Sequence, residues 1–584
     1  MELSEELKKS RLKVYALGGL DENGKNLYCI EMDNDIFVIE CGLKYPDRTS
    51  PGVDIVIPNF SYLEENKDRI KAVIISHGHD DQYGSLPFLL KIVNVPVYAT
   101  PTTISLIKID YEKKFKGVKF NFIPVEPSSN KIICGHKFCF FSTTHSVSDS
   151  FGFAVETPYG NIVYTGDFIS DFGSMEKFTF DLPKAAKLAE TKDTLLLLSE
   201  SSGADKPGIA SPNHKITPLI HQYIEDPEGR TFIALYTQNF YNNFEVIDLA
   251  VKNGKKICLT NQTLINALPL LNQNGNFIIP KANYLPIEEI GRVAPTDVVI
   301  LVTGQGEEIF DFMKAIGNGA TKIHALTLSE KDTFIVACPS VPATETLATE
   351  AIDAIYRTGA KVINLNRKKI SSMHAQEEDL KMILSLFKPK YYMPVKGEYR
   401  QLMANAKIAL SLNHGYSHLN TFIADNGMIL YFDDNGKAHL TPMPVLKSGD
   451  LLVDGIGVGD VKEVVLQERQ KMSDDGVIVL AVTVSSKLRK VISSPDVQMR
   501  GFIFLKDSEN IVKEVFNIFT KVLQELCTKK SLSCEDAEKL LIDRLTKYLR
   551  KESGKDPLIV PRIIDIDRYY GSVESYGVLW GRLK

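Results

Sequence analysis

Along the first third of the chain the hydrophobic positions fall in short runs broken by polar turns. From about Lys13 to Thr165 the runs LYCIEM, IFVIECG, AVIISHGHDD, VPVYAT, FCFFSTTHS and GFAVETPYGNIVYTGDF are rich in β-branched and aromatic residues. This spacing predicts strands joined by hairpins, one of them turning at Pro158-Tyr159-Gly160. From about Lys215 the period changes. The strand TFIALY, the amphipathic segment NNFEVIDLAVKNG closed by Gly254, the strands KKICLT and DVVILVTG, the helix ETLATEAIDAIYRTG ending at Gly359 and the strand KVINLN follow in turn. They predict a separate α/β domain on a parallel sheet. A helix over roughly Glu377 to Phe387, the strand KYYMPV and hairpins to about Pro444 then return to the strand-and-hairpin pattern of the first third.

A Gly-rich connector, DLLVDGIGVGDV, leads to a C-terminal α+β unit with the strands DGVIVLAVTVS and RGFIFLK and two amphipathic helices. The first starts at Ser508 and carries Val512, Val515, Phe516, Phe519, Leu523 and Leu526. The second is capped by Ser533 and carries Leu540, Leu541, Leu545 and Tyr548. Such stripes belong to a core or to a subunit contact. No internal repeat or low-complexity segment interrupts the pattern.

Length and charge narrow the picture. At 584 residues, 44% of them hydrophobic, the chain must build more than one core, since single cores rarely grow past about 250–300 residues. With 68 basic and 73 acidic residues the net charge is −5, which argues against a protein that coats nucleic acid with a basic surface. A nucleic-acid partner would be gripped in a local channel, where a few lysines and a metal ion supply the positive field. The N-terminal MELSEELKKSRLKVYALGGL lacks a signal-peptide stretch, and the apolar runs, Leu195 to Leu198 among them, fall far short of the ~18 residues of a membrane span. A soluble, cytoplasmic protein with no membrane partner is expected. The eight cysteines form no CxxC pair and mostly occupy apolar, strand-like settings, so buried thiols are expected rather than disulfides or a cysteine–zinc site.

The densest polar cluster is Ser76-His77-Gly78-His79-Asp80-Asp81-Gln82, placed after the apolar strand KAVII and before the helical SLPFLLKIV. A loop at a strand end can converge two imidazoles and a carboxylate on one point, and His-x-His-x-Asp suits Zn²⁺ or Mn²⁺. The plainer alternative is a solvated loop whose histidines cap the next helix. His145, emerging from FFSTTHSVSDS, and Asp167, in the Gly-Asp turn of IVYTGDF, each read singly as turn or capping residues. In the order His-x-His-x-Asp, His, Asp, each at the end of a strand, the three segments point instead to one metal centre holding His77, His79, His145 and Asp167.

These motifs, with GGLDENGKN, ECGLKYPD, GVDIVIPNFSYLEENKDRIK, SESSGADKPG, VTGQGEE, LKMILSLFKPKYYMPVKGEYR, VDGIGVGDV and VLQERQKMSDDG in the same order, resemble the ribonuclease J family, the bacterial β-CASP branch of the metallo-β-lactamase superfamily. The resemblance implies a metallo-β-lactamase αββα sandwich, of mixed α/β (α+β) class, over 1–214 and 366–446. It implies an inserted β-CASP α/β domain over 215–365, a linker at 447–466 and a small C-terminal α+β domain over 467–584. It implies hydrolysis of RNA phosphodiesters by 5′-to-3′ exonuclease and endonuclease action with two zinc-type ions, in RNA maturation and decay. His77, His79 and His145 would hold the first ion, Asp167 would bridge, and Asp81, counted with the catalytic residues, would belong to the second. His374, in SSMHAQEED, would contact the scissile phosphate and protonate the leaving oxygen, and the stretch Ile370, Ser371, Ser372, Met373 and His374 would offer backbone N–H groups and the Ser372 hydroxyl to phosphate oxygens.

The chain departs from the family pattern at the second ion. Gln82 stands where the family has the last histidine of His-x-His-x-Asp-His, and Lys396 replaces the histidine of Pro-Val-His-Gly-Glu-Tyr-Arg. An ammonium cannot coordinate a cation unless deprotonated. Lys396 is therefore expected to pair with Asp81 and Asp167 in place of the second ion, leaving one tightly bound Zn²⁺ or Mn²⁺ per chain. Gln238-Asn239-Phe240-Tyr241 replaces a Ser-Asn-x-His signature, Ile370 replaces a histidine and Met373 a glycine, where its side chain is expected to crowd the phosphate. Glu40 and Glu200 keep the charge of the usual aspartates.

Two functions from different classes follow: a metal-dependent ribonuclease of reduced activity, or a weakly active or inactive RNA-binding subunit that assembles with a complete ribonuclease J paralogue. Relatives dimerise, and a homo-oligomer is the other assembly expected. A small-molecule hydrolase of the superfamily would share the ligand set, but the domain inserted between Asp167 and His374 suits a polymer threaded between domains.

Overall fold

The computed structural model describes residues 5–570 apart from 47–49, 112–113, 174, 276–277, 342–343, 367–368, 371, 456, 459–462, 503–507 and 530. The chain forms two compact units, residues 1–45 with 55–451, and residues 46–54 with 452–584.

Two mixed sheets dominate the first unit. One runs, in spatial order, Ala438–Leu440, Ile429–Phe432, Leu12–Gly18, Leu27–Met32, Asp35–Ile39, Ile70–Ile74, Pro96–Ala99 and Asn121–Pro124. The other runs Tyr391–Val395, Thr194–Glu200, Gly160–Tyr164, Phe151–Thr157, His136–Ser142 and Asn130–Ile133. Both contribute to one apolar cluster, with Val14, Ile30, Phe37 and Ile74 from the first sheet and Phe140, Phe153, Ile162 and Leu196 from the second. Helices Leu182–Thr191, Glu377–Phe387 and Tyr399–Ser411 cover the far face of the second sheet through Ala185, Leu380, Ile383, Leu384 and Ile408. This is the αββα sandwich. Tyr391–Val395 completes it by pairing in parallel with Thr194–Glu200, so the returning chain joins the sheet whose strands lead into His145 and Asp167.

The intervening segment builds a five-stranded sheet in the order Lys256–Leu259, Val298–Gly304, Thr231–Tyr236, Thr333–Val336 and Lys361–Asn364, every pair parallel. Both faces are buried, as parallel sheets require. Ile233 and Leu235 enter one apolar cluster, and Phe232 and Ala234 the other. The first of these also takes in Val147, Ile169, Ile370 and Met373, which flank the loops carrying His145, Asp167 and His374. The inserted domain thus packs directly against the backbone that aims those side chains.

In the second unit, Val477–Ser485 pairs with Asp496–Arg500 and Lys490–Val491 antiparallel and with Leu558–Asp565 in parallel. Helices Ser508–Thr528 and Cys534–Ser553 bury Val515, Phe519, Val522, Leu523, Leu541, Leu545 and Leu549 against it. Around the first helix the buried face differs slightly from the predicted stripe: Val512 and Phe516 remain 39% and 40% exposed, because the contact is centred on the row Val515, Phe519, Val522. Ser533 caps the second helix by accepting from the Asp536 N–H at 3.1 Å. Most cysteines are buried and none is paired among the described residues. No helix among the described residues is long and apolar enough to cross a membrane.

Candidate metal centre

The strand Ile70–Ile74 is apolar and buried up to its end, and the chain then leaves the sheet as Ile75–His79 before the short helix Asp80–Tyr83. His79 occupies the N-cap position of that helix, yet its side chain makes no capping bond. The capping alternative for this histidine therefore fails, and its ring turns to the centre. His145 follows the strand His136–Ser142, and Asp167 follows Gly160–Tyr164. Gly166 makes the second turn possible: its φ is +60°, and a Cβ there would lie 2.8 Å from the Phe151 carbonyl oxygen.

Ligand atoms of His77, His79, His145 and Asp167 all lie within 4.8 Å of one another. His77 Nε2 and His145 Nε2 stand 3.1 and 3.2 Å from His79 Nδ1, and 3.5 and 3.6 Å from Asp167 Oδ2. The outward nitrogens have partners of their own. Nδ1–H of His145 donates to the Met373 carbonyl at 2.7 Å, the Ser76 hydroxyl lies 2.9 Å from His77 Nδ1, and the Ser146 hydroxyl 3.2 Å from His79 Nε2. A neutral imidazole carries one N–H, so spending it outward leaves lone pairs converging inward.

Electrostatics favour that state. Burial pushes His77 down to about 3 and His79 to about 4, and it holds His145 well below the ordinary range. Burial works to raise Asp167, but the Lys396 ammonium and the surrounding imidazoles keep it ionised, well below the usual carboxylate range. Asp167 Oδ1 is buried without a hydrogen-bond partner. Three neutral nitrogens, a carboxylate and an orphaned carboxylate oxygen suit a divalent cation of zinc type.

The second half of the site is occupied differently. Lys396, 3% exposed, ion-pairs with Asp167 and, at 2.9 Å, with Asp81 Oδ2. Its pKa is raised: burial opposes the charge, but Asp167 and Asp81 outweigh it. Gln82 is fully buried, and neither atom of its amide has a hydrogen-bond partner.

His374 Nδ1–H donates to Glu200 Oε2 at 2.7 Å and lies 3.8 Å from Asp167 Oδ2. Glu200 also accepts from the N–H groups of Phe168, at 2.8 Å, and Ala375, at 3.2 Å. This leaves Nε2 of a ring that is 27% exposed as the edge that can face a substrate. Burial lowers the His374 pKa, but Glu200 outweighs it and the net shift is upward. Glu40, pushed up to about 8 by burial, accepts from the Ser76 N–H at 3.2 Å.

Among the proposed phosphate contacts, the Ser372 hydroxyl accepts from Lys206 Nζ at 3.1 Å, and Ser371 lies outside the described residues. The expectation that Met373 crowds the phosphate is corrected. Its side chain and that of Ile370 are buried in the apolar cluster beneath the inserted domain, which takes a thioether more readily than an open polar cleft does. Tyr241, in place of the signature histidine, packs its ring edge against the buried His214 at 4.9 Å.

Sequence reasoning overlooked two features. Asn26, fully buried, donates to both the carbonyl and the carboxylate of Asp81. His214 lies 3.2 Å from Asp171. Only the position of Asn26 in the block GGLDENGKN could have signalled the first.

Comparison with known proteins agrees along the chain. Residues 21–202 match the family model for the metallo-beta-lactamase superfamily, 228–355 the ribonuclease J beta-CASP domain, 362–411 the Zn-dependent metallo-hydrolase RNA specificity domain, and 464–566 the ribonuclease J C-terminal domain. The chain is 31% identical to Ribonuclease J 2 of Staphylococcus epidermidis over 561 residues, covering 96% of this chain and 99% of that protein. It is 30% identical to Ribonuclease J 2 of Staphylococcus aureus over 559 residues, with the same coverage. A crystal structure of a protein of unknown function from Enterococcus faecalis shares the fold at a TM-score of 0.50 and 15% identity, covering 72% of this chain and all of that one. With its motifs in order, its metal cluster assembled and nearly its whole length matched, the chain belongs to the ribonuclease J family.

Proposed function

We propose that the chain is a metal-dependent ribonuclease that hydrolyses RNA phosphodiesters around a single Zn²⁺ or Mn²⁺ ion held by His77, His79, His145 and Asp167. The observation that carries this reading is the convergence of one ring nitrogen from each of three histidines and one carboxylate oxygen within 4.8 Å. When bound, the ion supplies Lewis acidity, polarising water and a phosphoryl oxygen. Lys396 supplies a fixed positive charge where a second ion would sit and neutralises Asp81 and Asp167. His374, oriented by Glu200, gives a proton to the leaving oxygen. The Ile370 N–H is taken by the Asn366 carbonyl, so the backbone N–H groups of Ser372, Met373 and His374 and the Ser372 hydroxyl hold phosphate oxygens, and exo- and endonucleolytic cutting both fall to this centre. The domain limits 1–214, 215–365, 366–446, 447–466 and 467–584, a cytoplasmic location and assembly into an oligomer belong to the same reading. Losing stabilisation comparable to one oxyanion donor would slow the reaction by on the order of 10²–10³-fold relative to a two-ion centre.

The assay is cleavage of 5′-monophosphorylated RNA by the purified chain beside Asp167→Ala. Slow, metal-dependent cleavage that the substitution abolishes supports the reading. Cleavage that survives it is contamination and overturns it. Gln82 and Lys396 favour one second reading, a weakly active or inactive RNA-binding subunit of a complete ribonuclease J paralogue. Absence of cleavage by either protein, with activity gained on mixing with such a paralogue, would select it.

A further inference from the structure

The loop between strands Leu12–Gly18 and Leu27–Met32 touches Asp81 and the backbone of Gly397, the residue after Lys396. At its end Asn26 is fully buried. Its Nδ2 donates to the Asp81 carbonyl at 2.9 Å and to Asp81 Oδ2 at 3.2 Å, while its backbone N–H donates to the same carbonyl at 3.2 Å. The Tyr28 hydroxyl donates to Asn26 Oδ1 at 3.0 Å. Asp81 itself fixes which end of the amide faces it, since a flipped amide would set its oxygen against the Asp81 carbonyl and carboxylate, and the Tyr28 hydroxyl holds the other end in place.

Nearer the start of the loop, the Glu22 N–H donates to the Gly397 carbonyl at 3.2 Å, and Leu20 bridges to the same glycine. Gly397 follows Lys396, whose own φ is +53°. The loop is stapled at its base. Glu22 pairs with Lys44 at 2.8 Å and Lys25 at 3.3 Å, Asp450 pairs with both lysines, and Asn426 donates to the Leu20 carbonyl and to Glu22 Oε1, each at 2.9 Å.

We propose that this loop is a clasp that fixes the Asp81–Lys396 pair, with Asn26 the positioning residue that aims the Asp81 carboxylate at the ammonium. Asp81 Oδ2 receives two donors, Asn26 Nδ2 and Lys396 Nζ. Removing the amide frees Asp81 to rotate towards solvent, to which its side chain is already 23% exposed, and leaves Lys396 to Asp167 alone. The clasp works through position: Asn26 touches Asp81 and not the reacting atoms. It rests on the reading of Lys396 as the cation of the second half of the site, but its test requires no turnover.

The experiment is competitive acetylation of the full-length chain with limiting acetic anhydride, reading Lys396 by mass spectrometry against the exposed Lys252 as internal reference. In Asn26→Ala, labelling of Lys396 is expected to rise about tenfold, the equivalent of one charge-assisted hydrogen bond. The same change made in an Asp81→Asn background is expected to add nothing, because the group it aims no longer carries the charge. Tyr28→Phe keeps the ring and removes only the orienting hydroxyl, and should give a smaller rise in the same direction. Unchanged labelling in both folded variants, or an equal further rise in the Asp81→Asn background, overturns the clasp. Neither outcome touches the nuclease reading, which the RNA assay tests separately.

Discussion

Nζ of Lys396 stands 2.9 Å from Oδ2 of Asp81 while it also pairs with Asp167, so one buried ammonium joins the metal-holding carboxylate to its neighbour. Two carboxylates this close, that of Asp167 fully buried, need a cation between them, and in this chain the cation is covalent. Lys396→Met should leave both charges uncompensated and destabilise the sandwich by about 3–5 kcal/mol, the usual cost of removing one partner of a buried pair. Excess zinc should restore part of that loss, because the vacated carboxylates can then take an ion. Denaturation midpoints with and without zinc check both effects.

His374 is placed by Glu200 and keeps a partly exposed edge. His374→Ala should lower the rate of RNA cleavage by about 10²–10⁴-fold, the range for loss of a general acid, with bound metal unchanged. Loss of the ion together with the rate would instead assign the ring to metal binding. Paired rate and elemental measurements separate the two.

The inserted domain has its own electrostatic keystone. Asp332 accepts from Arg230 Nε at 3.1 Å and Nη2 at 2.6 Å, from the Arg230 N–H at 2.9 Å and from the Ser329 N–H at 2.8 Å. Burial raises its pKa, but Arg230 outweighs this and the net shift is downward. A depressed carboxylate contributes stability that is fully present above its unfolded pKa of about 3.9 and is lost as pH falls through its lower folded value. The parallel-sheet domain should therefore lose this contribution only below about pH 4. Asp332→Asn should remove about 3–5 kcal/mol at neutral pH and flatten the acid limb of an unfolding profile followed by circular dichroism.

Gly42 sits with its backbone against those of Asp81 and Asn26. A Cβ there would lie 1.6 Å from the Asp81 carbonyl oxygen and 2.9 Å from the Asn26 nitrogen. Gly42→Ala must push the two backbones apart, at a cost of about 1–3 kcal/mol or more. It should raise Lys396 acetylation as Asn26→Ala does, and a folded Gly42→Ala protein with wild-type labelling would contradict this geometry.

The convergence of His77, His79, His145 and Asp167 was legible because each stands after an apolar strand, where chemistry and local structure share one short motif. The parallel sheet was legible for the same reason, as Thr231–Tyr236 and Val298–Gly304 are nearly continuous apolar runs. Asn26 was not, since an asparagine after Gly-Lys reads as a turn former and its burial depends on Gly42, whose N–H donates to the Asn26 carbonyl, and on the helix of Asp81, both distant in sequence. Met373 misled because a glycine replaced in a phosphate motif suggests an obstructed cleft. Its side chain instead joins a core supplied by residues such as Val147 and Tyr241, which no local pattern discloses. The helix starting at Ser508 was legible and its buried face was not, because apolar residues cover more of its surface than the contact uses.

The Lys396 ammonium is proposed to take the place of the second ion. Purified chain loaded with excess zinc or manganese and then desalted should return one equivalent of metal by elemental analysis, rising to two when Gln82→His and Lys396→His are introduced together. Two equivalents in the unaltered chain would contradict the account.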